Sequence, residues 1–429
     1  MNQPAAAPAE ASPHYPDWRR YLTLALLVIV AILSYVDRQI FGIFMPAIGK
    51  ELGIGHQELG FIAGLSFSVF YLIAAFPIAR LADRGHRPGI IAVCVTVWSL
   101  ATAACSLAGS GLQLVLLRIG LAAGEGGAGP AAQSLLLHIF PPQRRALAIS
   151  ALLAASAVGL GAGGWIGGIL SQHMDWRGAL VTVGLPGLLV ALAVWLLAIE
   201  PRRHGSAAFV PPPQLPLREV LRQLGSSVSL RWTAATITLV SSAGFPFLIW
   251  SGTFYQTVHG FSVREAGDAL FLPISGGLVI GNVLAGWLGD RFGRGRPRYL
   301  GWLAAIGLVL AFPFGIAMAQ VSDARLSLVM FFVYHVLVTI HLAPMQVLAF
   351  AQVPPAMRAM LGASINMVIT LCGIGIGTWL VGALSSAFAA RYGDLSLRYA
   401  LTSVCISLPL GAVCAVMAAR TARMVEEWG

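Results

Sequence analysis

Apolar residues run along most of this chain in long blocks. Short clusters of arginine, acid, proline and glycine interrupt them. A helix needs roughly 20 apolar residues to cross hydrocarbon about 30 Å thick. The pattern predicts about twelve such blocks, at 20–46, 57–80, 88–108, 112–138, 144–171, 177–199, 230–257, 263–288, 298–319, 324–351, 358–389 and 395–419; they are called spans 1 to 12 below. Backbone groups inside a membrane have no water to bond, so each block must close its own hydrogen bonds as a helix. A membrane barrel would instead show short alternating strands, and none is evident. Tight links such as Ala108–Gly111 make neighbouring helices antiparallel. The expected fold class is an all-α integral membrane protein.

The blocks divide unevenly. Residues 1–19 form an N-terminal segment, 20–200 a first bundle, 201–228 a Pro-, Arg- and Gln-rich linker, 229–420 a second bundle and 421–429 a tail. Within the linker, Leu217, Val220, Leu221 and Leu224 share one helical face, between Arg218, Glu219, Arg222 and Gln223. This predicts a short amphipathic helix, lying at the membrane interface or packed on the bundle's end.

The two bundles echo one another. Ala79-Arg80-Leu81-Ala82-Asp83-Arg84-Gly85-His86-Arg87 follows span 2, and Gly286-Trp287-Leu288-Gly289-Asp290-Arg291-Phe292-Gly293-Arg294 follows span 8. Before spans 5 and 11, Pro141-Pro142-Gln143-Arg144-Arg145-Ala146 is echoed by Pro354-Pro355-Ala356-Met357-Arg358-Ala359. Asp83 and Asp290 are 207 residues apart, and Arg145 and Arg358 are 213 apart. Two echoes at nearly one offset point to a duplication into pseudo-symmetric six-helix bundles.

Composition agrees with the pattern. The 429 residues are 57% hydrophobic and only 10% charged, where soluble domains carry about 25% charge. A formal net charge of +10 invites thoughts of nucleic acid, but its distribution argues otherwise. With both termini on the cytoplasmic side, 19 of the 27 Lys and Arg residues fall there, against six on the opposite side and two within spans. That bias is the positive-inside rule. It predicts a multi-pass cell-membrane protein, a bacterial inner membrane being the expected site, with no nucleic-acid partner. The Ala/Pro-rich stretch before Trp18 does not resemble the basic start of a signal peptide. Arg19-Arg20 reads as a topology signal. The five cysteines lie in predicted helices without CxxC spacing, so neither a disulfide framework nor a metal site is expected. His335 and His341 sit about 120° apart around span 10 and do not converge on a metal. They are expected to make a polar contact to a neighbouring helix. Two GxGxxG matches, at 124–129 and 159–164, lie inside spans and follow no strand, so they are read as close-packing glycines.

The chemistry concentrates in the first bundle. Asp37 and Arg38 sit together inside span 1, and each charge costs roughly 2.5–3.5 kcal/mol at membrane depth. Arg118 and Glu125 sit inside span 4, seven residues apart and so on one helical face. At 1.5 Å per residue, Asp37 lies roughly 24 Å from the inner end of span 1, and Arg118 roughly 9 Å from the outer end of span 4. These depths let Asp37 meet Arg118 while Arg38 or bound substrate meets Glu125. Asp37 and Glu125 are the only acids placed well inside a span, and so are the candidate proton-binding carboxylates. The equivalent positions of the second bundle are Gly244 and Val338. The expected cavity is therefore charged on one side and apolar on the other, with Tyr35, Phe41, Phe67, Tyr71, Phe247, Trp250 and Asn366 as possible lining. Such a cavity suits a lipid-like amphipath. Asn282, Thr339, Asn366 and Thr370 keep a more hydrophilic substrate open.

The Gly-x-Leu-x-Asp-Arg-x-Gly-Arg signature, met fully at 286–294 and with two departures at 79–87, resembles that of the major facilitator superfamily, and the resemblance covers the whole membrane portion. It implies a cytoplasmic gate made by Asp83, Arg84, Arg87, Asp290, Arg291 and Arg294, with Arg145 and Arg358 nearby. Tyr35-Val36-Asp37-Arg38-Gln39-Ile40-Phe41-Gly42 and Arg118-Ile119-Gly120-Leu121-Ala122-Ala123-Gly124-Glu125-Gly126 are similar to the spinster family of lipid transporters. That resemblance implies proton-driven movement of lysophospholipids or sphingoid lipids. It implies coupling roles for Asp37, Arg38, Arg118 and Glu125, no cofactor beyond protons, and a monomer. Transport of small organic anions, with Arg38 or Arg118 as anchor, is the alternative, and drug efflux a third. Gly163-Gly164-Trp165-Ile166-Gly167-Gly168 has glycine where drug antiporters of the superfamily carry proline, which weakens the third reading and leaves direction open. No HExxH, GxSxG or P-loop points to an enzyme.

Overall fold

A computed structural model describes residues 15–200, 225, 227–293, 296 and 298–422. The amphipathic helix expected at 217–224, Arg294, most of the N-terminal segment and most of the tail lie outside the described residues, as do the side chains of Asp83 and Arg84. The described residues form helices joined by short turns.

Ten stretches of the described residues are long and apolar enough to cross a membrane. One of them, Met360–Thr421, has 62 residues and reverses at Gly393, whose φ of +54° is readily adopted only without a Cβ. It therefore holds spans 11 and 12. Gly111–Ile139, interrupted by Arg118, Glu125 and a run of glycines, is a single helix of 29 residues and supplies span 4. Twelve spans result. Leu153, Leu189, Leu196, Val283 and Trp287 are exposed, as expected for a surface that faces acyl chains rather than water.

The duplication is visible in the packing. Span 1 packs on span 5, span 2 on span 4, span 3 on span 4 and span 3 on span 6; each pairing recurs six spans later as 7 on 11, 8 on 10, 9 on 10 and 9 on 12. The halves meet through span 1 on span 7, span 2 on span 11 and span 5 on span 8.

These cross-half contacts gather toward the end of the molecule opposite the termini. His56 Nδ1 lies 2.8 Å from Ser385 Oγ, and Gln57 N donates to Ser386 Oγ at 3.0 Å. Ser275 Oγ donates to the Ala157 carbonyl at 3.0 Å. Glycine permits the closest approaches. A Cβ on Gly64 of span 2 would lie 2.6 Å from the Ile374 carbonyl oxygen of span 11. Gly267 of span 8 and Gly168 of span 5 let those helices meet: a Cβ on Gly267 would lie 2.5 Å from the Gly164 carbonyl oxygen, and one on Gly168 3.2 Å from that of Arg264. Spans 2, 8 and 11 are π-helical at Phe61–Leu65, Leu272–Gly276 and Ile369–Gly377, where they face the other half. Such turns are frequent at functional places in helices.

Candidate functional site

Span 1 is one helix, Asp17–Leu52, so successive side chains turn by about 100°. Asp37 and Arg38 consequently leave it in different directions. Arg38 points between the halves. Its Nε donates to Glu125 Oε2 at 2.7 Å, and its Nη2 bonds the same oxygen. Ser34, one turn earlier on span 1, donates its hydroxyl to that oxygen at 3.0 Å. The guanidinium also lies 4.8 Å from the Tyr35 ring, 4.9 Å from Phe67 and 5.5 Å from Tyr71. Each such contact is worth about 0.5–2 kcal/mol. The Arg38 side chain is 15% exposed and that of Glu125 0%, so the cation faces the space and the acid stands behind it.

Neighbouring glycines set Glu125 in place. A Cβ on Gly124 would sit 2.7 Å from the Trp98 backbone nitrogen of span 3, and one on Gly126 would overlap the Tyr71 carbonyl of span 2. Span 4 is thereby pressed between two helices, which fixes the rotation that aims Glu125 at span 1. The Gly-Glu-Gly run is thus a packing device for a buried acid.

Asp37 departs from the expected arrangement. Its Oδ2 accepts from Thr102 Oγ1 of span 3 at 3.4 Å, its Oδ1 has no hydrogen-bond partner, and the residue is 3% exposed. It forms no ion pair with Arg118. The helical turn from Arg38 carries it away from the centre and into the first bundle. Arg118 instead donates Nε to the Ile62 carbonyl of span 2 at 3.2 Å and lies 4.1 Å from the Phe41 ring.

A cavity of about 30 Å³, wide enough for little more than water, lies where the halves meet. Tyr35, Arg38, Gln39, Ala63, Phe67, Arg118 and Leu160 line it from the first half, and Phe245, Leu248, Ile249 and Ile374 from the second. Tyr35 and Phe67 are where the sequence placed them. Phe41 and Tyr71 reach it only through the two guanidiniums. Phe247 and Trp250 are not lining residues. Span 7 turns Phe245, Leu248 and Ile249 toward the cavity, which sends Phe247 back against Phe331 and Tyr334. Trp250 is buried, with its indole N–H on the Thr378 carbonyl at 3.0 Å. Asn366 is exposed and outside the lining. Gln39, Ala63, Leu160, Phe245, Leu248, Ile249 and Ile374 also line the cavity and were not among the expected residues. Spacing of i, i+3 and i+4 around Pro246 was the signal available for the span 7 set.

Of the expected gate residues, Arg145 and Arg358 each bond a carbonyl of their own half. Arg145 donates Nε to the Phe140 carbonyl at 3.1 Å, and Arg358 to the Phe350 carbonyl at 3.2 Å. Both carbonyls end a helix, so the duplicated arginines cap equivalent helix C-termini. Asp290 and Arg291 are exposed, while Arg87 is buried and its backbone N–H donates to Glu200 at 2.7 Å. The imidazoles of His335 and His341 hydrogen-bond to carbonyls of their own span, Phe331 and Val338, and not to a neighbouring helix, although His335 packs beside Gly277 of span 8.

Two duplicated six-helix bundles meeting around a charged central cavity are the architecture of a membrane transporter. Residues 27–378 match the Major Facilitator Superfamily, and the chain belongs to it. An MFS-type efflux pump of Mycolicibacterium smegmatis is 28% identical over 433 residues, covering 100% of both chains. The tetracenomycin C resistance and export protein of Streptomyces glaucescens is 27% identical, covering 88% of this chain and 77% of its own. Among solved structures, a bacterial homolog of the human lysosomal transporter Spinster, inward-facing and unoccupied, superposes with a TM-score of 0.85 at 26% identity, over 95% of this chain and 98% of that one. The chain is therefore a multi-pass membrane transporter with a Spinster-like fold.

Proposed function

We propose that this protein is a proton-coupled transporter of amphipathic molecules that pair an anionic head with an acyl or similarly apolar tail, lysophospholipids and phosphorylated sphingoid lipids being the nearest class. The observation that carries this reading is the polarity of the cavity. Both charged residues that line it, Arg38 and Arg118, are cationic and come from the first half; every lining residue from the second half is apolar. An anionic head has a place on one wall and a tail on the other. A small hydrophilic acid would find no polar side chain on the second wall, since Asn282, Thr339, Asn366 and Thr370 are all absent from it.

Glu125 supplies the coupling. While ionised it occupies Arg38. A proton on Glu125 removes that competition and frees the guanidinium for the anionic head. Proton and head then bind cooperatively, and linkage makes the effect reciprocal. Asp37 is a second proton-binding carboxyl, acting through span 3 rather than touching substrate. The gate residues of the two signature loops, Asp83, Arg84, Arg87, Asp290, Arg291 and Arg294, act when the opposite end opens. With a bacterial inner membrane and cytoplasmic termini, the contacts described above close the outer end, and the state is inward-facing. The inward-facing Spinster homolog supports this orientation.

Export of drug-like amphipaths is the second reading. The full-length match to an efflux pump favours it.

Proteoliposomes under an imposed pH gradient test the proposal with lysophospholipids, short organic acids and cationic dyes. Accumulation of anionic lysolipids is expected, and Glu125→Gln should abolish both accumulation and the strengthening of binding as pH falls. Movement of organic acids alone, or unchanged pH dependence in Glu125→Gln, overturns it. Movement of dyes alone selects the second reading.

A further inference from the structure

Spans 1 and 7 cross where both carry glycine. A Cβ on Gly42 would lie 3.0 Å from the Ile249 carbonyl oxygen, and one on Gly252 would lie 3.1 Å from Ile43 Cα. On either side of this crossing a glutamine reaches across. Gln39 of span 1 donates Nε2 to the Leu248 carbonyl of span 7 at 3.0 Å; Gln256 of span 7 donates Nε2 to the Ile43 carbonyl of span 1 at 2.7 Å. The two amides form a reciprocal clasp between the halves.

The clasp is not symmetric in its surroundings. Gln256 lies outside the cavity. Gln39 lines it together with Arg38 and Arg118, is 6% exposed, and has no hydrogen-bond partner for its Oε1. A buried acceptor left without a donor is costly, and its natural complement is a donor brought by a ligand.

Resting on the proposed amphipathic substrate, we propose that Gln39 is a specificity-determining residue that reads a hydroxyl next to the anionic head and ties that reading to closure of the end opposite the termini. A hydroxyl both donates and accepts, as does a carboxamide. In the closed state the substrate hydroxyl donates to Oε1 while Nε2 holds Leu248. When the halves separate at this crossing, Nε2 loses the carbonyl and the same hydroxyl accepts from it. Substrate thus replaces a cross-half bond with a bond to itself. The Gln256 amide, whose Nε2 also donates to the Gly252 carbonyl of its own span at 3.0 Å, lies outside the cavity and serves closure alone.

Glutamine-to-methionine variants keep side-chain length and remove both polar atoms. With the five native cysteines replaced, a Leu160→Cys reporter in the cavity lining reacts with a membrane-impermeant thiol reagent added at the end opposite the termini. Gln39→Met and Gln256→Met should each raise the labelling rate about threefold to tenfold, the effect of one lost hydrogen bond. Uptake is compared for lysophosphatidic acid and its 2-deoxy analogue. Wild type and Gln256→Met should prefer the hydroxylated lipid by about tenfold in KM, and Gln39→Met should lose that preference. An unchanged preference in Gln39→Met, or labelling that Gln39→Met leaves at the wild-type rate, overturns the proposal. A wild type that moves neither lipid overturns the substrate reading and the hydroxyl contact with it, while labelling still decides the clasp.

Discussion

Spans 1 and 7 occupy equivalent places in the duplicated halves, and the comparison is sharpest at one position. Arg38 lines the cavity from span 1; Phe245, which is 207 residues later, lines it from span 7. The scaffold around them is shared. Span 1 rests on span 5 as span 7 rests on span 11, and the arginines before spans 5 and 11 cap equivalent helix ends. What differs is a handful of side chains. In the first half, Arg38 brings Glu125, Ser34 and an aromatic surround with it; in the second, Phe245 has Leu248, Ile249 and Ile374 as cavity neighbours. Duplication supplied the moving parts, and divergence at the centre gave the cavity a polar wall and an apolar wall.

The comparison can be broken in several places. The largest effect is expected from Glu125→Ala, which leaves the partly buried Arg38 without its counter-charge. Losing one member of a buried pair costs about 3–5 kcal/mol, so the detergent-solubilised variant should unfold at a clearly lower temperature, and Arg38→Ala in the same background should recover part of the loss. No recovery would mean that the pair is not the unit of charge balance. Next, Phe245→Arg places a cation on the apolar wall. A buried charge costs roughly 2.5–3.5 kcal/mol, so affinity for an acylated substrate should fall about 100-fold in equilibrium binding, while a short organic acid should bind no worse. Equal losses for both ligands would erase the distinction between the walls. Phe67→Ala removes one ring from both arginines. It should raise KM about threefold to thirtyfold, in line with about 0.5–2 kcal/mol of cation–π interaction, and leave Glu125-dependent accumulation in place. The smallest step is chemical: each CH₂ added to the tail should tighten binding about threefold to fourfold, from about 0.8 kcal/mol per buried methylene. A flat chain-length series would remove the apolar wall's role.

Much of this architecture is legible in the sequence. The apolar blocks gave the spans, and echoes at offsets of 207 and 213 gave the halves, because the loop signatures and Pro-Arg links keep residue types that side chains in lipid need not keep. Arg38 and Glu125 were legible as partners from depth alone. Asp37 was not, since depth says nothing about rotation, and one residue along a helix turns a side chain by about 100°. The same blindness sent Phe247 and Trp250 to the cavity in place of Phe245, Leu248 and Ile249. Periodicity groups residues by face, but only the packing partner says which face looks inward. Gln39 was overlooked because a lone amide beside two charges carries no pattern. Its meaning lies in a backbone carbonyl 209 residues away.

The bare contact between Gly64 and span 11 has a consequence for how this gene can change. A methyl group there would meet the Ile374 and Gly375 carbonyl oxygens at 2.6 and 2.8 Å. Both oxygens belong to the other half, so the clash exists only while this end is shut. Each bundle could still fold around its own core. A Gly64→Ala allele would pass a screen for expression and fail when asked to shut this end, so the harm it does would be hidden from any assay that only counts folded protein.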